Sequence, residues 1–177
     1  MGTETRGSGA TKSFRRPETD YLSNKSLQQG KILAAASGGG HWIQLHRLSK
    51  AFIPHDTVYV TTERHLTDMV TGARCHLIHD VTRKDRFLIS VALLQAVTIV
   101  LRERPRVVVT TGALPGLLLL LAGKFLVGAR TIWIDSIANS RTISGSGRIA
   151  RNVADTCVSQ WPLVAENEGI EFWGSVL

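Results

Sequence analysis

Cysteine is scarce here: of 177 residues only Cys75 and Cys157 are cysteine, too few for a disulfide scaffold or a four-thiolate metal site. Each falls in an apolar, strand-like run, so buried reduced thiols are expected. Long hydrophobic runs are missing too. No stretch of 18 or more uncharged apolar residues occurs, which argues against a standard membrane span. The first residues contain no apolar segment of the secretory kind. Gly2 opens a loose myristoylation pattern, but Arg6 stands where serine or threonine is required. The RRM, KH, helix-turn-helix and zinc-finger patterns are all lacking, so no nucleic-acid partner is expected. No internal repeat is visible.

What is present is an ordinary core composition, 44% apolar, with a net charge of +7. That excess suits anionic partners such as phosphates or an acidic membrane surface. Residues 1–30 are polar and carry no sustained period, and are expected to be a disordered tail. Residues 31–177 are expected to form one domain.

From residue 31 strand-like and helix-like segments alternate. KILAAA, TVYVTT, CHLIHD, RVVVTTG, RTIWIDS and DTCVSQ are apolar and β-branched, as covered parallel strands are. Between them, HWIQLHRLSKAF places Ile43, Leu45, Leu48 and Phe52 on one helical face. ERHLTDMVTG reads as a short helix ended by Gly72, and RFLISVALLQAVTIVLRER as a long one stopped by Pro105. LPGLLLLLAGKFLVG and SGSGRIARNVA are further helices, and WPLVAENEGIEFWGSVL opens as a helical turn and ends in a short apolar run. The expected fold is α/β: an open, doubly wound, Rossmann-like parallel sheet.

In such a sheet ligands bind at the carboxyl ends of the strands. Ser37, Gly38, Gly39 and Gly40 follow the first strand and open a helix at His41. Glycines let the backbone approach a bulky group, and free N–H groups at a helix start favour an anion. A histidine there can bind a phosphate or hydroxyl, or take a proton. A plain strand-to-helix turn without ligand is the competing reading. A dinucleotide fingerprint is disfavoured, because its third glycine would fall at Ile43, and Glu63 beyond the second strand does not rescue it. TTGALPG ends the fourth strand with Thr111 and Gly112, and IDSIANSRTISGSG ends the fifth with Asp135, Ser136 and Asn139. Three polar loops at one sheet edge make a better signal than any one alone. Asp135 is open to two readings, a helix or turn cap or a part in catalysis; Arg141 reads first as a solvated charge.

These segments carry a resemblance. SGGGH after the first strand, TTGALPG after the fourth, and WIDSIANSRTISGSGRIARNVADTCVSQWPLVAEN with the closing FWGSVL resemble the Alg14 family, the acceptor-side, membrane-recruiting subunit of a two-part glycosyltransferase. More distantly the pattern is similar to the N-terminal half of MurG-type GT-B enzymes. The resemblance covers about residues 31–177, and its closing segment is the most specific part. It implies an inverting transferase completed by an Alg13-like chain that grips the nucleotide sugar, with a lipid-linked acceptor in the cleft. It implies Ser37 to His41, Thr111, Gly112, Asp135 and Ser136 as cleft-facing candidates, and no metal; from the residues themselves Asn139 joins them as a binding candidate and His41 is the candidate for catalysis, with no cofactor expected. Eukaryotic Alg14 proteins begin with a membrane helix where this sequence has a polar stretch, which fits a bacterial polysaccharide-assembly relative. Residues 87–101 and LPGLLLLLAGKFLVG are two apolar helices that read first as core cover for one sheet face; the sharper reading is that part of them meets a partner or lies peripherally in the membrane interface on the cytoplasmic face, helped by Arg83, Lys84, Arg86, Arg102, Arg104 and Arg106. Two rival functions stand beside this one: a docking scaffold without chemistry of its own, and a stand-alone nucleotide-binding α/β protein.

Overall fold

The structure, a computed structural model, describes residues 30–82 and 84–176. The expected tail lies outside the described residues except for Gly30, as does Arg83. Seven strands form the sheet: β1 (Ile32–Ala36), β2 (Thr57–Thr61), β3 (Arg74–Leu77), β4 (Val107–Thr110), β5 (Arg130–Ile134), β6 (Thr156–Ser159) and β7 (Glu171–Phe172). Their order is β3-β2-β1-β4-β5-β6-β7, and every neighbouring pair is parallel. Leu33 of β1 stands beside Val58 of β2 and Val108 of β4. Because β2 and β4 flank β1 on opposite sides, chain direction through the sheet reverses there, and the loops after β1 and β4 diverge around a crevice.

Alternation along each central strand feeds two cores. Leu33, Ala35, Val58, Val60 and Val108 pack against α3 (Arg86–Glu103) and α4 (Ala113–Val127). Ile32, Ala34, Ala36, Tyr59 and Val109 face Trp42, Leu45, Phe52 and Leu66. Those come from α1 (Gly40–Arg47), α2 (Ser49–Phe52) and the 3-10 turn Arg64–Met69. Burial on both faces explains why the strands carry continuous apolar runs rather than alternating ones. α5 (Gly145–Val153) and α6 (Pro162–Glu168) cover the remaining crossovers. α3 stops at Arg104, whose left-handed φ of 47° precedes Pro105, and α4 stops at Gly128.

The expected alternation holds, with local differences. The predicted helix over 41–52 is two pieces, and Ile43 is 53% exposed while Trp42 and Leu45 are buried. Trp42 wins the core position because its indole meets Tyr59 edge-on, with ring centroids 6.0 Å apart. The segment after β2 is a 3-10 turn rather than an α-helix, β3 begins one residue earlier than predicted, and the final apolar run contributes the edge strand β7. Cys157 is buried and Cys75 half-buried, both free thiols. Burial raises the Cys75 thiol to about 11, and burial with the nearby Asp135 charge raises Cys157 to about 12. Among the described residues no helix is long and apolar enough to cross a membrane.

Candidate functional site

β1 and β4 end side by side, and each runs through a glycine turn into a helix. Gly39 caps α1 at φ 66°, and Gly112 caps α4 at φ 133°. Neither helix start has a side-chain cap, whereas Ser144 Oγ accepts from Gly147 N (2.9 Å) at the start of α5. Two uncapped helix starts thus flank the crevice with the positive ends of their dipoles.

His41 stands between them. Its Nδ1 lies 3.0 Å from Ser37 Oγ, and its carbonyl accepts from Thr111 Oγ1 at 2.8 Å. A Cβ on Gly112 would sit 2.9 Å from His41 Nε2, so only glycine lets the imidazole lie against this turn. Burial lowers the His41 pKa below its ordinary value, against the opposing pull of the Asp135 and Asp80 charges. The ring is therefore neutral at pH 7, with Ser37 holding one nitrogen. His41, Ala113, Ser136, Asn139, Ser144 and Ser146 help line a cleft of about 330 Å³. Gly39 and Gly40 are exposed, and Cβ atoms there would meet nothing within 4 Å. Gly38 differs: a Cβ there would overlap the Glu63 carboxylate, which lies over the loop.

The loop after β5 is organised by Asp135, which is 1% exposed. Its carboxylate accepts from Trp133 Nε1 (3.1 Å), Asn139 Nδ2 (3.0 Å), Ser144 N (3.0 Å) and Ser144 Oγ (2.7 Å). Four donors occupy the sites an ionised carboxylate offers, so Asp135 shapes the loop and reaches His41 through its charge. Ser136 is buried and accepts from Gln44 Nε2 at 3.1 Å. Thus the structure brings Ser37, Gly39, Gly40, His41, Thr111, Gly112, Ser136 and Asn139 to one edge, with Ser37 and Thr111 as supports beneath the surface. Arg141 is exposed.

Sequence reasoning missed Gln44, Gln160, Ser144 and Trp133. Gln44, 6% exposed, bonds Gly40 O, Ser136 Oγ, Ile137 N and Gln160 Nε2. A signal for Ser144 did exist, since serine ahead of GSGRIA is a normal helix cap. None existed for the glutamines. Among the described residues no group of three His, Cys, Asp or Glu side chains comes together to hold a metal ion.

The fold recurs in solved structures. MurG of Acinetobacter baumannii superposes with a TM-score of 0.62 at 16% identity, over 75% of this chain and 42% of that one. UDP-N-acetylglucosamine 2-epimerase of Rickettsia bellii gives 0.62 at 14% identity, over 82% and 45%. A glycosyltransferase of Rickettsia africae gives 0.58 at 16%, over 81% and 41%. At these identities the likeness concerns the fold, that of the N-terminal half of a GT-B glycosyltransferase. The chain spans less than half the length of these structures. No curated protein matches it significantly. The profile described as oligosaccharide biosynthesis protein Alg14-like matches residues 32–176. The chain therefore belongs to the Alg14 family and has a glycosyltransferase-associated role in oligosaccharide biosynthesis.

Proposed function

We propose that this chain is the acceptor-side half of a two-chain, inverting glycosyltransferase. One observation carries the reading: a neutral histidine, held at Nδ1 by Ser37, stands between two uncapped helix starts in a cleft. In this reading the glycine turns take the diphosphate of a lipid-linked acceptor. His41 Nε2 removes the proton of the attacking hydroxyl as it displaces the nucleoside diphosphate from the donor sugar. An Alg13-like chain closes the cleft and holds the nucleotide sugar.

Membrane contact is supported by α3. Phe87, Leu94 and Leu101 are 80%, 67% and 48% exposed and recur along one side, and Leu126 of α4 lines a surface hollow together with Leu101. The Ser90 and Thr98 hydroxyls bond their own helix carbonyls, while Lys84, Arg86, Arg102 and Arg104 stand exposed at the two ends. A helix lying flat in the headgroup region on the cytoplasmic face fits this pattern. α3 starts at the sheet edge that carries the cleft, so such a pose opens the site sideways along the bilayer.

The test is co-expression with a partner chain of the Alg13 kind, followed by transfer from a panel of radiolabelled UDP-sugars to membrane lipid. Neither chain alone is expected to turn over. His41→Ala and Gly40→Ala are expected to keep the complex and lose transfer at least about tenfold, about 1.4 kcal/mol at the transition state. Full activity in both would leave the chain a docking scaffold. High-salt washing is expected to strip the complex from membranes; retention until detergent is added would reject peripheral attachment.

A further inference from the structure

We propose that Gln44 is a positioning residue for the switch-point site, and that residues 174–176 hold it through Gln160. The claim about geometry stands on the structure alone; its consequence for catalysis rests on the function proposed above.

The amide of Gln44 uses its full hydrogen-bonding capacity. Nε2 donates to Gly40 O (3.1 Å) and Ser136 Oγ (3.1 Å), and Oε1 accepts from Ile137 N (3.1 Å) and Gln160 Nε2 (2.6 Å). Backbone groups fix its orientation, because the Ile137 N–H can only donate and the Gly40 carbonyl can only accept. Gln160, 3% exposed, is fixed in the same way. Its Nε2 donates to Asp135 O at 3.0 Å as well as to Gln44, and its Oε1 accepts from Val176 N at 3.1 Å. Arg47 Nη1 donates to Val176 O at 2.8 Å, which ties the same residue to the far end of α1.

The result is a directed chain of amides. It runs from the backbone of residue 176 through two buried side chains to the carbonyl of Gly40, beside His41. It joins the loops after β1, β5 and β6. No other contact described here links all three. In a site of low polarity each donor strengthens the next, and an amide that loses one partner strains toward another. Undocking residue 176 therefore loosens Gln160, then Gln44, and finally the spacing between the His41 turn and the Ser136 loop. A misplacement of about 1 Å in such a site is enough to cost about a hundredfold in rate.

Backbone amide exchange in the ¹⁵N-labelled chain tests this without any assay of transfer. Wild type is compared with Gln44→Met, Gln160→Met, the double variant, and a chain lacking residues 174–177. Exchange at 39–42 and 136–139 is expected to quicken at least tenfold in each, with α3 and α4 unchanged. The double variant should match the larger single effect rather than the product, since both act through one chain. The ¹⁵N signals of the His41 ring are expected to move as well, which simple loss of packing at residue 160 would not cause. Unchanged protection at 39–42 in Gln160→Met and in the shortened chain overturns the proposal. If both glutamine variants fail to fold, the shortened chain decides alone. Looser loops in the variants, together with no transfer by the wild-type complex, would keep the coupling and reject the glycosyltransferase reading. Unchanged loops with normal wild-type transfer would do the reverse.

Discussion

Asp135 and Glu103 are buried carboxylates at opposite edges of one sheet, and they are held in opposite ways. Asp135, at the carboxyl end of β5, accepts among the described residues from neutral donors: an indole, an amide, a hydroxyl and a backbone N–H. Glu103 closes α3 at the other edge, where Lys31 (3.1 Å), Arg74 (2.6 Å) and His76 (2.8 Å) converge on it. Cations neutralise Glu103 where it stands. Dipoles satisfy Asp135 without cancelling its charge, so its field extends to His41. One carboxylate locks the base of the sheet, while the other shapes a loop and biases a histidine.

The sharpest way to break this comparison is Asp135→Ala. It strands four donors at about 1–3 kcal/mol each if none is rehydrated. With water entering, we expect about 4 kcal/mol lost in urea unfolding, together with collapse of the 136–144 loop. Loss below about 1 kcal/mol would mean that the donors find other partners and that the clamp is dispensable.

Glu103→Gln should cost less, about 2 kcal/mol, since the Arg74 side chain is 51% exposed and keeps its water. Its pH dependence is the more telling part. Burial works against ionisation of Glu103, but bonds from His76 and Lys31 and the Arg74 and Lys31 charges outweigh it, so its pKa lies below the ordinary 4.5. Stability from such a group is present above the unfolded value and is lost as pH falls through the folded one. The gap between wild type and Glu103→Gln should therefore be constant near neutrality and narrow on acidification below about 4.5. A gap that persists undiminished at pH 3 would show that the carboxylate contributes by shape alone.

The smallest effect concerns the field. Asp80 adds to Asp135 in opposing the burial of His41. Asp80→Asn removes that opposition without touching the loop, and is expected to lower the His41 pKa further. Titration of the ring by NMR reads it directly. A rise, or no movement, would mean that the charge does not reach the ring.

The fold was legible because it rests on local signals. Six apolar β-branched runs separated by helical periods dictate an α/β layer, and Gly128 and Pro105 punctuate it as glycine and proline do anywhere. The cleft was legible only in outline. The glycine turns and His41 announce themselves, but Gln44 reads as a surface glutamine, because three of its four partners lie 92 to 116 residues away. Periodicity points to Ile43 as core, and Trp42 takes that place instead through contact with a strand that the helix pattern cannot see. α3 is apolar around most of its circumference, so its sequence defines a helix without saying which side stays uncovered; the exposure of Phe87 and Leu94 settles that.

The two thiols have a practical consequence. With values near 11 and 12, roughly one part in ten thousand or fewer is thiolate at neutral pH, and thiolate is the form that alkylates. Both native cysteines will therefore be slow toward maleimides in the folded chain. A cysteine introduced at Leu163 or Phe125, which are 71% and 69% exposed, should take a fluorophore or a photocrosslinker essentially by itself. Partner and bilayer contacts can then be mapped position by position on the otherwise native sequence.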